Sequence, residues 1–233
     1  MQRRQFLQTS LALIAAIRWP RRSVALIGLG ACGTRVVSAC AASLPGGGFG
    51  PVQAAGILPQ SVREAMPGDY GIPTRRLPLW AHIAPDAPAA QKRAVIRRLA
   101  QARMDDLVAF AGHPQQLVLV CALGSLLGSA LAGWLADRAD RQGIAVTVIA
   151  SNPFSFEGIP AREEACALEA ALRVRHRVIV QDNGALEQRM PPPVRLLDLL
   201  RASDQCLRGA IGAALSRNGP AFVPGRAFGA GAP

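Results

Sequence analysis

Rings, lysine and acid are all scarce in this chain. Aromatic residues make up 5% of its 233 positions, which excludes a core of stacked rings. With 50% of the residues hydrophobic, the interior has to be built from Ala, Val, Leu and Ile as helices layered on a sheet. Lys92 is the only lysine, and the net charge of +11 rests on arginines set among Ala, Gly and Pro. Beyond Phe6 and Trp19 in the leading segment, no aromatic side chains interleave the basic stretches to stack on bases, so nucleic acid is not an expected partner. The five cysteines, Cys32, Cys40, Cys121, Cys166 and Cys206, form no C-x-x-C pair. They read as buried thiols of a reduced compartment. His82, His113 and His176 have no ligand spacing with one another or with a cysteine, so no metal site is expected. No run reaches the ~18 uninterrupted apolar residues of a membrane span.

What is present suits one domain with appendages. Residues 3–8, Arg-Arg-Gln-Phe-Leu-Gln, are similar to a twin-arginine export signal, and an apolar run from Leu11 to Ile17 follows. The run is short, Arg18, Arg21 and Arg22 come at once after it, and no small-x-small cleavage site precedes Ser23. Residues 1–22 are therefore read as a basic, apolar leading segment, either an amphipathic helix or a twin-arginine-like signal. The expected location is the cytoplasm, with export as the alternative.

From Ser23 the pattern alternates. A branched apolar run, SVALIG, precedes a glycine-broken turn and a helix carrying Val36, Val37 and Cys40. Residues 45–90 are rich in Pro and Gly, which predicts long loops or an irregular excursion from the sheet. Further on the spacing predicts a helix over 89–112, a buried strand over 117–122, a helix over 127–143 and a strand over 144–150. A helix near 161–174, a strand near 177–181 and a long closing helix over 193–216 complete the domain, 23–217. The tail, 218–233, has little to bury. Strands alternating with helices predict a three-layer α/β domain with a mostly parallel, Rossmann-like sheet.

In such sheets an anion sits beyond the carboxyl ends of the strands, where backbone amides and helix N-termini converge. Two loops qualify. Gly28-Leu29-Gly30-Ala31-Cys32-Gly33 is formally a G-x-G-x-x-G between a strand and a helix, the dinucleotide pattern of an NAD enzyme. The acid expected ~20 residues on to hold the ribose is missing, because Gln53 lies there and the nearest acid is Glu64. The second loop, Gly124-Ser125-Leu126-Leu127-Gly128-Ser129, has two hydroxyls to offer. It also has two leucines of a bulk that hinders close backbone approach to phosphate.

After the strand over 144–150 comes Asn152-Pro153-Phe154-Ser155-Phe156-Glu157-Gly158. This segment resembles the P-F-x-F-E-G motif of the tubulin/FtsZ family of GTPase domains. The stretch before it is similar to the family's strand, signature glycine loop, helix and strand. VIVQDNGAL, over 178–186, resembles the strand ending in Asn-x-x-Leu, and residues 196–215 resemble the family's long central helix. The likeness covers roughly 23–217, strongest from 117 to 186.

The resemblance implies a guanine-nucleotide site (GTP or GDP) with phosphates on Gly28, Gly30, Ala31, Cys32, Gly33, Gly124, Ser125, Gly128 and Ser129. Glu157, Arg162 and Asn183 stand where sugar and base are held, although Arg162 lies one residue further from the glutamate than the family spacing. The base-reading aspartate falls on Gln205, with Asp204 one position early, and the stacking ring falls on Leu200. Arg35 replaces an asparagine and brings a cation near phosphate. The family's catalytic acids follow the central helix, whereas here no acid follows Asp204. The expectation is thus a divergent, degenerate FtsZ-like domain, without the family's second subdomain and weakly or not hydrolysing. It would act in cell division or the cytoskeleton through filament or partner contacts. The alternative is a dinucleotide enzyme using 28–33. Both need the turns after Gly28, Ala122 and Ala150 to meet around one anion-sized hollow bordered by Glu157 and Asn183, not filled by Leu126 and Leu127.

Overall fold

The computed structural model describes residues 23–43, 52–59, 70–77, 82–84, 86–102 and 114–215. The leading segment, the tail and the second half of the helix expected over 89–112 lie outside the described residues.

The expectation of a parallel sheet between helical layers holds. Among the described residues six strands, β1 (Val24–Leu29), β2 (Val52–Pro59), β3 (Thr74–Leu77), β4 (Gln116–Ala122), β5 (Ala145–Ser151) and β6 (Arg177–Gln181), lie in the order β3-β2-β1-β4-β5-β6. Every neighbouring pair is parallel. Central strands of such a sheet are covered on both faces, which is why VALIGL and QLVLVCA are apolar almost throughout instead of alternating.

Alternate residues still sort by face. Ala25, Ile27, Leu119 and Cys121 pack with α2 (Ala89–Gln101), α3 (Leu126–Arg141) and α4 (Ile159–Arg173). Leu26, Val118, Val120 and Ile149 pack with α1 (Gly30–Ala41) and α6 (Leu196–Leu215) on the other side. Helix α6 presents Leu199, Ser203, Leu207 and Ile211 inward at four-residue spacing. Burial of Leu207 and Ile211, each 1% exposed, stabilises this layer by about 1.5–3 kcal/mol apiece.

Three features correct the sequence-based expectations. The Pro/Gly-rich region 45–90 contains β2 and the edge strand β3 instead of loops alone. The apolar stretch Ala54–Leu58 is short enough for its Pro and Gly flanks to dominate a window average, but Ala54 to Ile57 pair with β1. Immediately after β6, the Asn-x-x-Leu segment opens a short helix, α5 (Asn183–Arg189), with Asp182 accepting the Ala185 amide at 3.1 Å as its N-cap. The closing helix begins at Leu196, three residues beyond Pro193.

The chain winds outward from β1 through β2 to β3, then returns to lay β4 against the other side of β1 and proceeds to β5 and β6. The winding direction reverses between β1 and β4. That reversal opens a crevice beyond their carboxyl ends, where ligands of such folds bind.

Candidate functional site

Both glycine loops sit at the reversal. In the first, Leu29 leaves the strand and Gly30 starts α1 with φ +74°, a left-handed conformation that a side chain would strain. Gly28 and Gly33 let helix and sheet approach closely: a Cβ on Gly33 would lie 2.1 Å from the Val120 carbonyl oxygen, and one on Gly28 2.5 Å from the Gly33 backbone. Leu29, the N-cap, offers no side-chain acceptor to the free amides of the first turn. Ala31 is exposed and Cys32 half-buried over this turn.

In the second loop Ser125 is the N-cap of α3. Its hydroxyl donates to the Ala122 carbonyl at 2.8 Å and accepts the Gly128 amide at 3.0 Å, and the Ser129 hydroxyl donates to the Leu123 carbonyl. The two hydroxyls expected to face phosphate therefore satisfy their own loop. A Cβ on Gly128 would lie 2.2 Å from the Ala122 oxygen, so this glycine serves backbone packing.

The turns do adjoin. The Leu127 Cβ lies 4.0 Å from where Gly30 would carry one, Gly124 packs on Pro153, the Leu123 amide donates to Ser151 at 2.9 Å, and that of Asn152 donates to Gln181 at 2.9 Å. Leu127 is 5% exposed and belongs to the core, with Leu126 packed half-buried against it. The core side of the meeting point is thus occupied by Leu127, while α1 and α6 cover the other face of the sheet.

On that side four groups are already paired among themselves. Arg35 grips Asp204 with both ends of its guanidinium, Nε to Oδ2 at 2.5 Å and a terminal nitrogen to Oδ1 at 2.8 Å. The pair raises the Arg35 pKa further, since its hydrogen bonds to the carboxylate favour the charged form. Asn183, 3% exposed, accepts from the Ser203 hydroxyl at 2.8 Å. Glu157 is exposed and accepts the Phe154 amide at 2.7 Å, while the Ser155 amide donates to Glu187 on α5 at 2.9 Å. Arg162 stands exposed in the first turn of α4 with no ion pair among the described residues. Gln205 is exposed on α6.

Cys32 registers how close these groups are. Burial pushes its thiol up to about 11, Asp204 and Glu157 raise it further, and Arg35 opposes them. The first turn of α1, the turn after β5 and the middle of α6 therefore face one another. Arg162 and Gln205 are not drawn into this cluster by any contact. Ser203 and Glu187 were missed from sequence. The first had a signal: it is the one polar residue in the stripe Leu199-Ser203-Leu207, and a buried polar group needs a partner. Glu187 had none.

No protein-family model matches the chain, and no curated protein does. Solved structures match it well. FtsZ from M. jannaschii, in an empty dimer, superposes with a TM-score of 0.69 at 14% identity over 92% of this chain and 61% of that one. CetZ2 from Haloferax volcanii, in a GTPγS-bound protofilament, gives 0.64 at 19% identity over 83% of this chain and 58% of that one. A GTPγS-form protofilament of TubZ from Bacillus thuringiensis serovar israelensis gives 0.57 at 15% identity over 88% and 59%. The chain spans about three fifths of the length of these structures. Its fold is that of the tubulin/FtsZ nucleotide-binding domain.

Proposed function

We propose that this FtsZ-fold domain is a nucleotide binder that does not turn its ligand over: it holds the diphosphate of a guanine nucleotide on the first turn of α1 and acts through assembly contacts. One observation carries the reading. Among the two helix N-termini at the sheet's reversal, that of α1 has amides with no side-chain cap, and Cys32 in its first turn lies within electrostatic reach of Asp204, Arg35 and Glu157. Unsatisfied amides plus the positive end of the helix dipole favour a phosphate there. The second loop, closed on itself by Ser125 and Ser129 and plugged by Leu127, is assigned no γ-phosphate. Residues 216–233, which follow α6, include no Asp or Glu, and none of them is assigned to activate water.

The assembly role rests on exposed apolar side chains on the carboxyl side of the sheet. Phe156 and Ile159 follow β5, and Leu196 and Leu197 open α6, with exposures from 53% to 64%. Four large apolar groups on one end of a domain favour a protein partner, here a second copy or a related filament subunit. A cytoplasmic site belongs to the same reading, and all five cysteines are unpaired, although Cys166 and Cys206 are exposed and not buried as the sequence suggests. Among the described residues no helix is long and apolar enough to cross a membrane.

A dinucleotide is the weaker reading. The loop and strand order suit it, but β2 ends in Leu58-Pro59, where a ribose-holding acid belongs. The test is chromatography of whatever nucleotide the denatured protein releases, with thermal shifts for GDP, GTP, NAD and NADP. Guanine nucleotide released, or stabilisation by GDP and GTP alike without phosphate release, is the expected result. Stabilisation by NAD alone overturns it.

A further inference from the structure

A cleft of about 700 Å³ runs between α1 and α6; Arg35, Asp204 and Gln205 of the candidate nucleotide site are among its lining residues, but no residue of either glycine loop is. Its floor is apolar, with Val36, Ala39, Cys40 and Ile211. Its rim is basic, with Arg201 and Arg208 along the same face of α6. The single lining carboxylate, Asp204, is taken by Arg35. Arg201 is 79% exposed and reaches Asp198 only at 3.6 Å. Arg208 has no carboxylate partner among the described residues, and its hydrogen bond to the Ser43 hydroxyl is long, 3.5 Å.

The helix that forms the wall is also unusual. Gly209 and Gly212 lie inside α6 and line the cleft, and a Cβ added at either would meet no atom within 4 Å. An interior helical glycine costs about 1 kcal/mol relative to alanine, yet neither is required by packing or by backbone conformation in the folded chain. Both leave the wall bare where the cleft is open. Its volume lies within the range of small-molecule sites.

We infer that this cleft is a binding site, separate from the glycine loops, for a small amphiphilic anion: a phosphate or carboxylate head on Arg208 and an apolar body along the Val36, Cys40 and Ile211 floor. The inference stands on the cleft alone and does not require that the loops hold a nucleotide.

The test uses the full chain and isothermal titration with octyl phosphate, with inorganic phosphate, octanoate and octyl glucoside as separate arms. Octyl phosphate and octanoate are expected to bind, and the head without a body and the body without a charge are not. Arg208→Gln should weaken octyl phosphate roughly tenfold, the loss of a charge-assisted hydrogen bond. Gly212→Leu should abolish binding while the melting temperature stays level or rises, because the leucine enters open space and removes a helical glycine. GDP-induced stabilisation should be the same in both variants as in the parent. Octyl phosphate binding that survives Gly212→Leu, an equal response to inorganic phosphate, or no binding by either amphiphile overturns the inference. Loss of the GDP response in Gly212→Leu would merge the cleft with the nucleotide site and overturn the claim of separateness.

Discussion

The two glycine loops differ less in sequence than in what their backbones still need. Each leaves a buried parallel strand at the sheet's reversal, and each uses one glycine to bring helix backbone against a strand carbonyl, Gly33 on Val120 and Gly128 on Ala122. At the first loop the N-cap is Leu29, and the turn's amides find no side chain. At the second, Ser125 caps Gly128, and Ser129 binds Leu123. A helix start that supplies its own acceptors is complete without a ligand, and one that does not is poised for an anion.

The largest effect should come from what the loops share. Gly33→Ala and Gly128→Ala each force a methyl into a backbone carbonyl that cannot retreat, and each should cost about 3 kcal/mol in urea titrations. Two mild, unequal losses would break the claim of a common skeleton. A smaller effect tests the difference. Gly30→Ala should cost about 1–2 kcal/mol through left-handed strain and should also eliminate the GDP-induced rise in melting temperature. Gly128→Ala, scaled for its own stability loss, should retain that rise. Smaller again is Ser125→Ala, expected to cost about 1 kcal/mol as a lost cap and to leave the GDP response untouched. If it weakens GDP instead, the phosphates lie on the second loop and the comparison inverts.

How far the sequence reveals this follows from the range of each signal. Periodicity is local, so β4, α3, β5 and β6 are legible to within a residue or two, and the P-F-x-F-E-G likeness points to the fold that the solved structures share. Ser125 stands before an apolar run, where an N-cap belongs, and its hydroxyl is committed to Gly128 for that reason. The Arg35–Asp204 pair joins residues 169 apart, and nothing in the spacing of either announces the other. The residue types at the site were therefore readable, while their mutual pairing depended on how α6 packs over α1. The strand β2 was hidden for a different reason: it is a short apolar stretch between glycine- and proline-rich neighbours, and only its ladder with β1 identifies it.

The smallest expected effect separates the loops by their thiols. Cys32 belongs to the first, and Cys121 ends the strand that feeds the second. Burial raises Cys32 from 9.0 to about 11 and Cys121 from 9.0 to about 12. Both protons are held more tightly in the folded chain than in the unfolded one. Their contribution to stability is therefore whole below pH 9, and it falls as pH climbs to about 11 for Cys32 and about 12 for Cys121. Both thiols contribute to the loss between pH 9 and about 11, and only Cys121 from there to about 12. Denaturant titrations should therefore show Cys32→Ala roughly halving the slope in the lower part, and Cys121→Ala halving it there and removing the upper part. Asp204 also raises Cys32, whereas the second influence on Cys121 is Cys32 itself. Asp204→Asn should then lower the pH at which ultraviolet absorbance reports the Cys32 thiolate and leave that of Cys121 in place. Equal movement of both thiols would mean that Asp204 acts on the whole carboxyl side of the sheet and not on the first loop, and the distinction between the two loops would lose its electrostatic basis.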